Sequence, residues 1–323
     1  MNDKTMRAAL VTQPDGPFQT VALPRPVVRE GEVLVRVLAS ALNPLDGKVH
    51  TGQAPHARQP LPAVLGIEMA GVVEAVGPGA PWVPGDRVMG MVGGVGGRQG
   101  TLAEFVAVDA RLLAPLPRGW APREAATLPL AFITAWEGLV DRARIQAGQT
   151  VLVQAGAGGV GAFAVQLALA QGAVVWATGR PAHRALIEGL GARFLPLDQP
   201  GATKGIGFDI VFDTLGGAFL DQSFQLVNPF GHVVSCLGWG THSLAPLSFK
   251  GATYSGVFTL EPLLSGRNLE SMGAILGHAA RLAEGKALRP RLAPQRFGLD
   301  TVNDAFALLN AHTGSGRVVV DIG

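Results

Sequence analysis

Cysteine is all but missing from this 323-residue chain. Cys236 is the only one, so neither an intrachain disulfide nor a zinc site built from several thiolates is available. Tyrosine is also single, at Tyr254, and charged residues make up only 15% of the chain. The 26 basic and 24 acidic side chains are mixed along the sequence, and the net charge of +2 leaves no run of either sign. Nucleic-acid binding needs clustered lysine and arginine interleaved with aromatics, so no nucleic-acid partner is expected. The opening MNDKTMRAALVTQPDG lacks the apolar centre of a signal peptide and reads as a short strand, which points to a cytoplasmic protein.

Long apolar runs are absent too, with one exception in outline. Residues 151–179 contain no charge and are long enough to cross a bilayer. Gln154, Gln166 and Gln171 interrupt the run, Gly156, Gly158, Gly159 and Gly161 break it, and Ala173 to Trp176 restarts as a strand. A buried strand, turn, helix and strand explain the same lack of charge, so no membrane segment is expected.

Glycine is what the sequence has in quantity: 44 residues, with 23 prolines, in a chain that is 48% apolar. That is a tightly turned globular composition, and the length exceeds the roughly 250 residues at which single cores stop growing, so two domains are expected. Residues 1–124 come in short β-like bursts, with Val33, Val35 and Val37 on one parity, and predict a small β-rich domain. Residues 125–264 alternate helix and strand, beginning with a helix over AATLPLAFITAWEGLVDRA and a strand over TVLVQA, the pattern of an open parallel sheet. Residues 265–323 are mixed, with two helical stretches before a last strand, RVVVDIG.

The glycines of VLVQAGAGGVGAFAVQLALAQG carry the chemistry. Gly156-x-Gly158-x-x-Gly161 is a weak pattern alone, but here it follows a β-branched strand and opens an apolar-faced helix, which aims helix N-terminal amides at a pyrophosphate. Gly156 makes the tight turn, Gly158 lets the backbone approach the phosphates, and Gly161 lets the helix sit close on the sheet; Gly159 and Val160 supply amides. At the end of the next strand an acid would accept hydrogen bonds from ribose hydroxyls, yet WATGRPAHR supplies Thr178, Gly179, Arg180 and His183 and no carboxylate. NADP(H) is therefore the expected cofactor, with Arg180 as the clamp on a 2′-phosphate. The plainer alternative for Arg180 and its neighbour Arg184 is a solvated surface arginine.

Five stretches together resemble the medium-chain dehydrogenase/reductase superfamily, specifically its zinc-free quinone oxidoreductase branch, similar to zeta-crystallin. They are ASALNPLDGKVHTG (39–52), GIEMAGVVEAVGPGAPWVPGDRV (66–88), LAFITAWEGL (130–139), AGAGGVGAFAVQLA (155–168) and FDTLGG (212–217). The resemblance implies an α/β protein: a Rossmann doubly wound parallel sheet domain plus a GroES-like β-rich substrate domain, the latter begun by residues 1–124 and completed by 265–323. It further implies a homodimer or homotetramer. Asn43, Ile67 and, approximately, Leu130 stand where zinc-containing relatives place metal ligands, and neither isoleucine nor leucine has a lone pair to donate, so no metal is expected.

Without a Lewis acid, hydrogen bonds must polarise the substrate oxygen, which suits a quinone or an enone as small-molecule substrate. The resemblance puts Asn43, Asp46 and Lys48 at the reaction site, with Asn43 or a neighbour donating to the substrate carbonyl; Lys48 replaces a tyrosine common in relatives. It places Thr134, Gly238 and Phe258 beside the cofactor and makes Arg317 a cation that reaches its phosphates. A threonine bonded back to its own helix and an arginine at a strand start are the plainer alternatives. Cys236 reads as a small strand residue, since no histidine is placed to activate it. Two other functions stay open: an enoyl-thioester reductase, and a non-catalytic NADPH-binding protein. The glycine-rich MGMVGGVGGRQG predicts mobility or the close approach of a ligand, with a plain flexible hairpin as the alternative.

Overall fold

Alternation in EVLVRVLASA becomes a strand, Glu32–Ala41, in which Val33, Val35 and Val37 are all fully buried. The computed structural model describes residues 4–197, 205–311 and 316–323. They fall into two units, Met1–Leu130 with Leu260–Gly323, and Ala131–Thr259.

In the first unit, Glu32–Ala41 is the centre of a mostly antiparallel sheet. Glu68–Val76 pairs along one side of it, followed by Arg87–Met91 and Leu113–Pro115. Its other side is shared by Phe105–Asp109 and by the last strand, Val319–Asp321, whose Val320 faces Ser40. The end of the chain thus closes a sheet begun almost 300 residues earlier. A smaller sheet joins Thr5–Val11 to Gln19–Pro24 and Ala63–Val64.

The glycines of residues 90–100 bring one loop's backbone against another's. Val92 and Val95 are buried, Val92 N–H donates to the Ile67 carbonyl at 2.8 Å, and Thr101 N–H to that of Gly66 at 3.0 Å. A Cβ on Gly94, whose φ is +69°, would lie 2.6 Å from the Gly66 oxygen. Backbone packs on backbone here, and only glycine leaves room for it.

The second unit is a six-stranded, wholly parallel sheet in the order Arg193–Pro196, Val174–Gly179, Thr150–Val153, Phe208–Asp213, Val227–Ser235, Thr253–Gly256. Numbered along the chain this is 3-2-1-4-5-6, the Rossmann order, which reverses between Thr150–Val153 and Phe208–Asp213. Val151, Leu152 and Val153 are all buried, as a strand covered on both faces must be. Leu152, Phe208, Val211, Leu220, Phe224 and Val233 form one apolar cluster. The single helix expected over residues 125–143 is broken instead into Pro122–Ala126, Pro129–Trp136 and a wider turn, Glu137–Arg142. Pro129 has no N–H to continue a helix and starts a new one.

Candidate active site

The dinucleotide cradle is built at the carboxyl end of the first parallel strand. After Val153 the chain turns through Ala155, at φ 52°, and enters the helix Gly159–Ala170 with an extended Gly158 as its N-cap. No side chain caps that helix, so the amides of its first turn, Gly159, Val160 and Gly161, keep their donors for an anion. The three fingerprint glycines have different reasons to be glycine. A Cβ on Gly156 would lie 2.5 Å from that of Ala177, and one on Gly161 would overlap the Ala155 carbonyl oxygen. Gly158 is exposed and meets only the Ala155 oxygen, at 3.2 Å. Two glycines close the turn, and the third leaves its outer side clear for a phosphate.

Thr178 serves the loop. It is buried, its hydroxyl donates to Gln154 Oε1 at 2.7 Å and accepts from Ala155 N–H at 2.9 Å, and its carbonyl accepts from Gly156 N–H at 2.9 Å. The hydroxyl thus braces the loop, with one acceptor lone pair left over. Gly179 gives Ile187 room, its Cβ position being 2.7 Å from Ile187 Cδ1. Arg184 pairs with Glu188 at 3.3 Å and lies over the Phe194 ring. Arg180, exposed at the head of the turn Pro181–His183, makes no ion pair among the described residues; His183 is half-buried.

At the same edge of the sheet, Asp213 gathers the turn after its strand. Its carboxylate accepts from Ser235 Oγ at 2.6 Å, Leu215 N–H at 3.0 Å and Gly216 N–H at 3.1 Å. The Tyr254 hydroxyl lies against Gly238, so a side chain there would collide with it. Thr134 is buried in its helix. Phe258 N–H points to Glu137 Oε1 at 3.4 Å, and the Trp239 ring meets that of Phe258 edge to face at 6.5 Å.

The first unit holds a second polar cluster. Asn43 caps the helix Pro44–His50, its backbone N–H donating to Asp46 Oδ2 at 2.8 Å, while its side-chain Nδ2 donates to Glu68 Oε1 at 2.8 Å. Glu68 is fully buried; Oε2 accepts from Leu130 N–H at 2.7 Å, and Oε1 also takes a short charged hydrogen bond from Arg317 Nη2. Asn43 Oδ1 and Arg317 Nε are buried without a partner among the described residues. Lys48 is exposed on the same helix.

Arg317, expected as a cation near the cofactor phosphates, has a side chain that is 9% exposed and pairs through Nη2 with Glu68. Glu68 itself was overlooked, although a lone acid inside GIEMAGVV is the signal that would have marked it. Burial pushes Asp46 up to about 7, Glu68 adding to the effect and the Asn43 N–H opposing it. Burial also raises Glu68, against Arg317 and its hydrogen-bond donors. His56 is held below its usual range by burial and by the nearby charge of Lys48.

These residues do not fit a zinc ion. Asn43 offers a metal only one neutral amide oxygen, and Ile67 and Leu130, at the other two positions, are buried hydrocarbons with no donor atom in their side chains. Among the described residues no group of three or more histidine, cysteine, aspartate or glutamate side chains could hold a metal.

The alcohol dehydrogenase GroES-like domain matches residues 29–118, and the zinc-binding dehydrogenase family residues 193–320. The spectinabilin polyketide synthase system protein NorB of Streptomyces orinoci is 37% identical over 90% of this chain, which spans only 13% of that protein's length. An NADPH-dependent alkenal/one oxidoreductase of Arabidopsis thaliana chloroplasts is 34% identical over 91% of this chain and 73% of its own. Among solved structures, an alcohol dehydrogenase superfamily protein from Novosphingobium aromaticivorans is 51% identical, covers 99% of this chain and 100% of its own, and has a TM-score of 0.96. The quinone oxidoreductase of Coxiella burnetii is 26% identical, with 99% and 100% coverage and a TM-score of 0.84.

The cluster around Glu68 has a pH signature. Between about pH 4, where an unfolded aspartate ionises, and about 7, folded Asp46 keeps a proton that the unfolded chain has lost. Stability therefore falls as pH rises through that window. Asp46→Asn still accepts from Asn43 N–H and is expected to flatten the fall, as compared by urea midpoints near pH 5 and pH 7.5; equal slopes in both proteins would contradict the assignment.

Proposed function

The chain belongs to the medium-chain dehydrogenase/reductase superfamily of pyridine-nucleotide-dependent oxidoreductases, and on that premise we propose that it is an NADPH-dependent, zinc-independent reductase acting on an α,β-unsaturated carbonyl or a quinone. The observation that carries the NADPH part is Arg180, an exposed arginine after the second parallel strand with no partner carboxylate among the described residues. The uncapped helix at Gly159 would hold the pyrophosphate, with Gly158 as its open face and Gly156 and Gly161 keeping the turn closed. Bound there, the dinucleotide supplies a hydride.

The chain's own residues handle the rest. Lys48 is placed on an exposed helix face and donates a hydrogen bond to the acceptor's carbonyl oxygen, where negative charge grows as hydride adds to the β-carbon. Asp46, neutral below about pH 7, keeps a second negative charge away from that helix. Thr134, Gly238 and Phe258 are proposed to flank the nicotinamide, with His183 beside the adenosine end. One observation favours a second acceptor class: the 37% identity to a polyketide synthase protein argues for an enoyl thioester, reduced by the same chemistry. A homodimer or homotetramer in the cytoplasm belongs to the same reading.

NADPH oxidation tests it, with 1,4-benzoquinone, a short enone and an enoyl thioester as acceptors and NADH in parallel. Turnover that prefers NADPH is expected, and Arg180→Ala should raise KM for NADPH by about tenfold or more while changing NADH turnover by less than about twofold. Equal use of both nucleotides, untouched by Arg180→Ala, would contradict the clamp. Tight NADPH binding without any acceptor reduced would favour a binding protein.

A further inference from the structure

We propose that Trp239 is a specificity-determining residue: with Phe258 it forms a right-angled aromatic corner that takes an acceptor with an extended flat ring system, such as a polycyclic quinone, in preference to a compact or aliphatic one. The proposal rests on the reductase reading above and narrows its acceptor.

Strand register brings the two rings together. Ser235 and Gly256 end neighbouring parallel strands and lie side by side, and Val257 N–H donates to the Ser235 carbonyl at 2.9 Å. Trp239 and Phe258 follow within a few residues, so both leave the same end of the sheet. It is the carboxyl end, where open α/β sheets bind their ligands. The two ring planes stand at 89° with centroids 6.5 Å apart. Trp239 is 55% exposed and Phe258 half-buried, so a ligand can reach the pair from solvent.

The loop that carries Trp239 is anchored on both sides of the ring. Before it, Leu237 N–H donates to Ser235 Oγ at 3.0 Å, and the Tyr254 hydroxyl leaves room at position 238 for glycine alone. After it, His242 bridges Asp221 of the helix Ala218–Leu226, at 2.8 Å, and the Trp239 carbonyl, at 3.3 Å. An aromatic side chain on an anchored loop loses little freedom when it meets a ligand. Phe230 and Phe249 are more exposed still, but they precede the paired positions His232 and Thr253 and so lie at the amino end of the same strands. Their exposure belongs to a different surface.

Aromatic rings attract one another when offset-stacked and when perpendicular. A flat polycyclic acceptor laid along one ring of the pair presents its edge to the other, and makes both contacts in a single orientation. A short enone, or the acyl chain of a thioester, has no ring face and gains only apolar contact without a fixed orientation. Gly238 and Phe258 are the residues assigned to the nicotinamide above, so an acceptor held in this corner lies beside the hydride donor.

Steady-state kinetics with NADPH test this, using 9,10-phenanthrenequinone and a short enone with wild type, Trp239→Ala and Trp239→Phe. The ratio of kcat/KM for the quinone to that for the enone is expected to fall about tenfold or more in Trp239→Ala, through the KM of the quinone. In Trp239→Phe, which keeps a ring, the ratio should stay within about threefold of wild type. Equal losses for both acceptors would overturn the proposal, as would no loss for either. A changed oligomeric mass of Trp239→Ala with the ratio unmoved would overturn it too, since the ring would then serve a second copy of the chain.

Absence of wild-type turnover with any acceptor would sink the reductase reading and leave the corner to a readout that needs no turnover. The chain has five tryptophans, so the share of Trp239 in the fluorescence is the difference between wild type and Trp239→Phe. Saturable quenching by the quinone in the presence of NADP+, largely lost in Trp239→Phe, is the expected result. The same quenching in both proteins would overturn the corner.

Discussion

The ion pair of Glu68 with Arg317 ties together parts of the chain 249 residues apart. Glu68 opens a strand of the antiparallel sheet, and Arg317 lies at the start of the segment whose last strand, Val319–Asp321, returns to Ala39, Ser40 and Ala41. Breaking such a buried pair from one side costs about 3–5 kcal/mol, because the remaining charge has no solvent to turn to. Through Asn43 and Leu130 the same carboxylate also fixes the entry to the helix Pro44–His50 and the start of the helix Pro129–Trp136. One buried charge therefore fixes a side chain and a backbone amide at two helix entries.

A different device sets the nucleotide site. There the protein uses almost no side chain and instead brings backbone close to backbone, with Gly156 against Ala177 and Gly161 against Ala155. The Thr178 hydroxyl and Gln154 brace the turn from behind. What faces outward is then a set of amides at a helix end, with the exposed Arg180 beyond the second strand.

These two sites were not equally legible in the sequence. The strand, glycine turn and helix follow one another within twenty residues, so their geometry is local and the spacing of Gly156, Gly158 and Gly161 carries it. The alternation of Val33, Val35 and Val37 gave the buried face of a strand for the same reason. The hydroxyl partners of Thr178 depend on the register between neighbouring strands, which spacing does not reveal. The partner of Arg317 is far away in the chain, and Glu68 passed unnoticed because one acid in an apolar strand looks unremarkable until its donors are known. The packing of Gly94 against Gly66 was equally invisible, because it joins two loops.

The central claim is the proposed one, that this chain is a reductase that works without a metal. The direct measurement is zinc content by elemental analysis of the purified protein, followed by NADPH turnover before and after exhaustive dialysis against a chelator. Far less zinc than protein, with turnover unchanged by the chelator, is the predicted result. Stoichiometric zinc whose removal abolishes turnover, and whose return restores it, would contradict the account.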